Sequence, residues 1–480
     1  MTKENYTMLC DFYELTMANG YFEKGMQDQI CYFDVFFRKI PDGGGYAICC
    51  GLDSMIEYIE NLKFTDEDIE FLRSKNCFDE KFLEYLRTFK FTGDIYAVKE
   101  GSVVFPNEPL VTVRAKAIEA QFIETYLLLA FNHQSLIATK TNRIVNAAKG
   151  HPIMEFGARR AQGESGAILG ARSAYIAGVV GSANTITDLR YQVPSLGTMA
   201  HSWIQMFDSE YEAFKAYCEV YPNNVTLLVD TYNVLKSGVP NAIKVIKEVL
   251  WPKGIKKCAI RLDSGDMTYL SKKARIMLDE AGLTDCKIVA SNSLDEYIIT
   301  ELLNEGAKID SFGVGERLIT AKSDPVFGGV YKLTAVEKDG KIIPKIKISE
   351  NSAKIINPGH KKIVRFYDNV SGKALADLLC LAHEEIDTSN DYTIFDPVET
   401  WKTKTIYDYH IKELQVPIYK DGKLVYDRPG IEEIRAYCKQ EVDSFWDEVK
   451  RLVNPHKYYV DLSKELWDLK DSLLKEYSKK

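Results

Sequence analysis

Between about residues 150 and 337, short apolar runs alternate with helix-length stretches, and this rhythm restricts the fold more than any other feature. The runs are IMEFG (153–157), a weak one at AGVVGS (177–182), TLLVD (226–230), CAIRLD (258–263), KIVAS (287–291), IDSFGVG (309–315) and GGVYKLTAV (328–336). Asn241 to Leu250, ahead of Pro252, reads as a helix, as do Met267 to Ala281 and Leu294 to Glu305. The last two stop at Gly282 and Gly306, because glycine readily takes the left-handed turn after a helix. Strands alternating with helices form a parallel sheet, and at this length a barrel or a doubly wound sheet fits. Almost every run ends in polar residues or glycine: Arg159, Asp230, Asp263, Ser291 with Asn292, and Gly313 with Gly315. Barrels collect their reacting groups from the ends of several strands. A doubly wound sheet gathers them at one switch point. The expectation is therefore an α/β barrel.

The flanks are mixed. A helix is expected from Asn5 to Lys24, stopped by Gly25. The strand ICYFDVFFR, ending at Arg38, leads into the glycine turn of PDGGGYAICCG. Helical patterns fill 53–88, two β segments occupy GDIYAVKEGSVVFPNEPLVTVRA, and a long helix is expected from Ala117 to Lys149. After 338 the chain returns to β pieces, KIIPKIKIS, KIVRFYD and the hairpin VPIYKDGKLVYD with its Asp-Gly turn. The stretch from Gly430 to Lys480 reads as helical and charged, with Trp446 and Trp467 packed inward.

A chain of 480 residues exceeds one ordinary core, so two or three domains are expected. The net charge of −8 argues against a nucleic-acid partner, which calls for a basic face. The ten cysteines form no C-x-x-C pair, which excludes the usual zinc and redox motifs and fits a reducing cytoplasm. Cys49 and Cys50 read as buried small apolar residues. The N-terminus has neither an apolar core nor a cleavage site. No apolar stretch approaches the roughly 20 residues that cross a bilayer.

Several segments carry candidate chemistry, each beside a plainer reading. EFGARR (155–160) sets two arginines after a strand end, a phosphate fork or a solvated surface pair. The small residues of AQGESGAILGARSAYIAG serve close packing or the approach of a ligand. His201 in GTMAHSW is a structural imidazole or a functional one. Asp230 in LLVDTYN resembles half of the loop that binds phosphoribosyl pyrophosphate in Rossmann-like phosphoribosyltransferases. That loop needs two adjacent acids, so that fold is rejected, and Asp230 is free to orient an imidazole. In IRLDSGD, Asp266 fits a helix N-cap, while strand alternation turns Arg261 and Asp263 to the same side. FGVGERL and FGG offer backbone N–H groups to phosphate.

Taken in order, DFYELTMANGY, FDVFFRK, EFGARRAQG, GTMAHSW, VDTYN, RLDSGD, ASNSLDE, FGVG and GGVYKLTA resemble the nicotinate phosphoribosyltransferases, from about residue 8 to 340. The resemblance implies an incomplete parallel α/β barrel (136–337), an α+β sandwich-like domain (1–135 plus 338–430) and a C-terminal helical segment (431–480). It implies a cytoplasmic homodimer with shared active sites, with no nucleic acid or membrane as partner. The implied reaction joins nicotinate to phosphoribosyl pyrophosphate and releases pyrophosphate. It is coupled to ATP hydrolysis through a phosphohistidine and begins NAD salvage from nicotinate. Magnesium is expected with the pyrophosphate, its ligands unknown.

Residue by residue, His201 matches the phosphorylated histidine and Asp230 the carboxylate that orients it. Phe156 and the partner subunit's Tyr13 match the two sides of a pyridine sandwich, and Thr198 and Arg261 match nicotinate-binding positions. Arg159, the partner subunit's Arg38, Lys332 and the backbones of Gly313 and Gly315 match phosphate ligands, with Ser291 and Asn292 beside them. Asp263 is assigned to the developing oxocarbenium ion. Glu316 stands where some members carry a threonine, leaving Arg317 or Thr320 as its substitute. The competing readings are a nicotinamide-specific relative and a non-catalytic nucleotide-binding barrel. A sugar-phosphate lyase on the same barrel ranks lowest, because it needs a strand-end lysine.

Overall fold

The computed structural model describes residues 5–351 and 354–478. The chain divides into two units, Ile137–Pro325 and Met1–Leu136 with Val326–Lys480.

Ile137–Pro325 holds a five-stranded parallel sheet of β1 (Ile153–Glu155), β2 (Thr226–Leu228), β3 (Ala259–Leu262), β4 (Lys287–Ser291) and β5 (Ser311–Val314). Their order is β1-β5-β4-β3-β2, so the first strand lies beside the last. Beyond β1, Glu155 bridges Ser182, and Ser182 bridges Ser195. AGVVGS thus contributes a bridge and no full strand, since Gly178 at φ 125° breaks the extended run. Leu227, Leu228, Ile260, Leu262, Ile288, Ala290, Phe312 and Val314 are all buried. Parallel strands covered on both faces read as apolar runs for this reason.

The expected helices are present with shifted ends. Met267–Glu280 is capped by Asp266, whose Oδ1 accepts from the Tyr269 N–H at 2.8 Å, and Gly282 follows at φ 81°. Glu296–Asn304 is capped by Asp295 and followed by Gly306 at φ 75°. The segment expected from Asn241 is already wound at Val234, with π turns on either side of Val239–Val245. A Cβ on Gly238 would lie 1.8 Å from the Val229 carbonyl oxygen. Glycine there lets this helix run directly against the end of β2, one residue before Asp230.

The other unit is built on a seven-stranded antiparallel sheet. Its order is Lys341–Pro344, Gly329–Lys338, Ile30–Phe37, Val111–Lys116, Asp94–Val98, Gln415–Lys420, Lys423–Leu424. GGVYKLTAV therefore does not belong with the alternating runs: it pairs antiparallel with Ile30–Phe37. Asp339 and Gly340, at φ 51° and 72°, turn it back into Lys341–Pro344. This is the same Asp-Gly device that closes the expected hairpin at Asp421 and Gly422. A four-stranded sheet (Tyr409–Glu413, Lys361–Asp368, Ala374–Leu381, Val460–Leu462) follows.

Further corrections fall in this unit. The N-terminal helix is Phe12–Glu23, and a break at Ile123 separates Ala117–Phe122 from Glu124–Ala147. The C-terminal stretch is not helical throughout: the strand Val460–Leu462 separates Ile431–Asp443 from Lys464–Tyr477. The Trp467 N–H donates to the Pro397 carbonyl at 3.0 Å. Trp446 is not packed inward but 44% exposed, because its neighbour Phe445 takes the buried place. All ten cysteines are free, with Cys49 and Cys50 buried. Among the described residues no helix is long and apolar enough to cross a membrane.

Candidate active site

Parallel strands point their C-terminal ends to one side, so residues after each last ladder pair form a common rim. Asp230 follows β2. Its Oδ2 accepts from the Asp263 N–H at 3.0 Å and the Ser264 hydroxyl at 2.6 Å. Its Oδ1 is buried with no hydrogen-bond partner among the described residues and lies 3.9 Å from His201 Nε2. Asp263, after β3, has Oδ2 3.8 Å from the same nitrogen. His201 opens a short helix, His201–Gln205, and its Nδ1 is 3.0 Å from the Thr231 hydroxyl. The imidazole thus sits against the ends of two adjacent strands with both nitrogens faced by oxygen.

Arg261 anchors the other side of Asp263. Its Nη1 donates to the Thr198 hydroxyl at 2.5 Å and reaches the Met199 carbonyl at 3.4 Å, while Nη2 lies 3.7 Å from Asp263 Oδ1. Its Nε is buried without a partner among the described residues. Burial pulls this guanidinium below its usual range; Asp263 and Asp230 oppose that, and the charge of Arg159 adds to it. An anion placed between Arg159 and Arg261 relieves that strain. The Ser291 hydroxyl, at the end of β4, donates to Asp263 Oδ1. Asn292 is exposed, with its backbone at φ 114°.

Phe156 follows β1, with Gly157 and the turn Ala158–Arg160, and Arg159 is exposed. Gly313 in β5 and Gly315 just after it lie against this turn: a Cβ on Gly313 would meet the Phe156 ring, and one on Gly315 the Phe156 carbonyl. Glu316 is paired with Lys322, which holds its carboxyl below the usual range. Neither expected substitute is uncommitted: Arg317 pairs with Asp295, and the Thr320 hydroxyl donates to the Glu316 carbonyl at 2.8 Å.

Three predicted residues belong to the other unit. Tyr13, on Phe12–Glu23, is 43% exposed, and burial of its hydroxyl beside Glu124 pushes its pKa up. The Lys332 ammonium lies 3.9 Å from Glu124 Oε1 and donates to the Tyr331 carbonyl at 2.7 Å. Burial lowers its pKa, with Glu124 opposing and Arg38 and Lys347 adding. The Arg38 guanidinium lies over the Phe36 ring at 5.6 Å.

Sequence reasoning missed Thr231, Ser264, Glu155 and Glu124. Glu155 left a signal, an acid closing an apolar run. It is fully buried, takes the Ser182 hydroxyl at 2.5 Å and the Gly157 N–H, and burial raises its pKa. Thr231 and Ser264 each follow a strand-end aspartate. Glu124 left none, since it sits in a helix that reads as ordinary.

Comparison with known proteins covers most of the chain. Residues 8–132 match the N-terminal domain of nicotinate phosphoribosyltransferase, 151–371 the nicotinate phosphoribosyltransferase (NAPRTase) family, and 360–470 the C-terminal domain. A nicotinate phosphoribosyltransferase of Bacillus subtilis (strain 168) is 43% identical over 467 residues, 97% of this chain and 95% of that protein. The crystal structure of human nicotinic acid phosphoribosyltransferase aligns with a TM-score of 0.85 at 28% identity, covering 96% of this chain and 99% of the human one. Nicotinate-nucleotide pyrophosphorylase from Pyrococcus furiosus aligns with a TM-score of 0.70 at 22% identity, over 92% of this chain and 97% of the other, a likeness of fold alone.

Proposed function

The chain belongs to the nicotinate phosphoribosyltransferase family, and from that premise we propose that it converts nicotinate and phosphoribosyl pyrophosphate to nicotinate mononucleotide and pyrophosphate. The observation that carries the reading is His201, held by Thr231 and faced by two carboxylates, with the Arg261–Thr198 pair beside Asp263.

The nicotinate nitrogen attacks the anomeric carbon as the bond to pyrophosphate breaks. Positive charge develops on the ribose and negative charge on the leaving group. Asp263, one-third exposed, faces that cation. Arg159, with the backbone N–H groups of Gly313 and Gly315 and the Ser291–Asn292 turn, receives phosphate. Arg261 gives the carboxylate of nicotinate a charge-assisted partner, and the Phe156 ring stacks on the pyridine. Lys332 is kept among the phosphate ligands, and Tyr13 and Arg38 are assigned to a second copy of the chain, in a homodimer whose sites are shared.

Magnesium would enter with the pyrophosphate substrate. Among the described residues no three His, Cys, Asp or Glu are grouped to hold a metal. One or two carboxylates plus substrate phosphates suffice for it, and Asp263, with its partly exposed side chain, would supply one.

ATP enters through His201. A neutral imidazole nitrogen attacks the γ-phosphorus, ADP leaves, and the phosphohistidine links ATP hydrolysis to the transfer. The sheet is read as an incomplete barrel, a reading supported by the bridges at Ser182 and Ser195, which extend the strand order beyond β1. Ten free thiols favour a cytoplasmic enzyme of NAD salvage. The test is incubation with γ-labelled ATP. Acid-labile label is expected on the wild type and absent in His201→Asn; label retained in His201→Asn overturns the assignment.

A further inference from the structure

We infer that Gly313 is a positioning residue for nicotinate: it is the seat of the Phe156 ring and sets how far that ring projects into the pyridine slot. The inference rests on the proposed stacking role of Phe156, and adds a cause for the glycine that backbone phosphate binding does not supply.

Glycine is commonly retained for one of two reasons, a left-handed backbone or a close approach. Gly313 lies within β5, paired with Met154 on one side and Ser291 on the other, and its φ is not positive. Backbone freedom is therefore not the reason. A Cβ built there would lie 2.6 Å from Phe156 Cδ2, 2.7 Å from Cε2 and 3.3 Å from Ser291 Cβ. The position is closed on both sides, so an added methyl displaces the ring or the strand.

The rest of the turn has no slack to absorb the displacement on the backbone side. The Phe156 N–H donates to the Val314 carbonyl at 2.8 Å. A Cβ on Gly315 would lie 3.0 Å from the Phe156 carbonyl oxygen, and one on Gly157 2.7 Å from the Gly315 carbonyl oxygen. From below, the buried Glu155 carboxylate holds the Gly157 N–H and the Ser182 hydroxyl, which itself accepts from the Asn184 N–H at 3.0 Å. With the backbone pinned by Val314 and Glu155, the freedom left to Phe156 is rotation of its ring away from β5. A Gly313→Ala methyl drives that rotation into the slot. The alanine leaves the backbone of β5 and the Gly315 turn after it in place, so phosphate binding there is not removed.

The experiment is a double-mutant cycle of wild type, Gly313→Ala, Phe156→Ala and the double variant, reading Tm and KM for each substrate. Gly313→Ala is expected to lower Tm by several degrees and to raise KM for nicotinate about tenfold or more, with KM for phosphoribosyl pyrophosphate within about twofold. In the Phe156→Ala background the same change is expected to move neither Tm nor KM. Equal effects in both backgrounds overturn the inference, as does a loss confined to phosphoribosyl pyrophosphate. If Gly313→Ala does not fold, the double variant decides: folding supports the seat and failure refutes it. If Phe156→Ala leaves KM for nicotinate unchanged, the stacking role fails, while coupling in Tm still tests the seat.

Discussion

Asp230→Asn isolates the charge that faces His201 from the hydrogen bonds that hold the strand ends together. The amide oxygen can take the place of Oδ2 and go on accepting from the Asp263 N–H and the Ser264 hydroxyl. The amide nitrogen then replaces Oδ1, the buried oxygen 3.9 Å from Nε2 that has no hydrogen-bond partner among the described residues. The neutral ring turns cationic as its nitrogen is phosphorylated, and unit charges at that separation interact by about 4 kcal/mol at an effective dielectric near 20. The imidazole is 39% exposed, so water screens much of this, and about 1.5–2 kcal/mol, or about 10- to 30-fold in rate, is expected. The assay is the rate of acid-labile label appearing from γ-labelled ATP, with Tm measured alongside. Asp230→Asn should slow labelling by that factor and hold its Tm. Asp230→Ala should slow it further and also lower Tm, because two donors lose their acceptor at about 1–3 kcal/mol each when buried. Labelling at the wild-type rate in Asp230→Asn refutes the electrostatic role. A Tm drop as large as that of the alanine variant refutes the separation of charge from hydrogen bonding.

Thr198→Val removes the hydroxyl that holds Arg261 Nη1; KM for nicotinate should rise about tenfold or more for one charge-assisted bond, with phosphoribosyl pyrophosphate unaffected in steady-state kinetics. In competition between nicotinate and nicotinamide the wild type should prefer the acid, and Arg261→Lys, lacking the planar fork, should narrow the preference. Burial, with Glu124 and Asp11 adding and the Thr125 hydrogen bonds opposing, raises the Glu14 carboxyl from 4.5 to about 7. The folded state therefore holds this proton more tightly than the unfolded chain. Its stabilising contribution is full below pH 4.5 and lost as pH rises to about 7. Glu14→Gln should thus gain Tm relative to wild type as pH rises through that window; a constant difference rules this out.

The strand ends were legible because two signals coincide there. In a parallel sheet covered on both faces the interior residues are apolar, so the first polar residue after each run marks the rim. Asp230, Asp263 and Ser291 stand out in this way. GGVYKLTAV was misassigned because an apolar run does not declare whether its neighbour is parallel. The Asp339-Gly340 turn does declare it, and was the stronger signal. Thr231 and Ser264 were not legible: a hydroxyl beside an aspartate is common in any turn, and only the approach of β2 to β3 gives Ser264 its partner Asp230, as only the fold brings His201 to Thr231. Glu124 was hidden because its role depends on Phe12–Glu23 and Gly329–Lys338, two segments far apart in sequence.

The two acids at the rim also show how adjacent strand ends divide labour. Asp230 and Asp263 lie at nearly equal distances from one imidazole nitrogen, yet their side chains differ in exposure, 1% against 33%. Asp230 is committed through Oδ2 to the backbone and hydroxyl of the next strand end, so it is fixed and closed to solvent. Asp263 is held on its Oδ1 edge by Ser291 and Arg261, leaving Oδ2 on the side of His201. A carboxylate that must meet a transient cation on a substrate needs reach, and one that must hold an imidazole through repeated phosphorylation needs rigidity. Environments that differ this much separate the tasks of otherwise identical groups. In the proposed mechanism, orientation of His201 therefore falls to Asp230 and stabilisation of the ribosyl cation to Asp263.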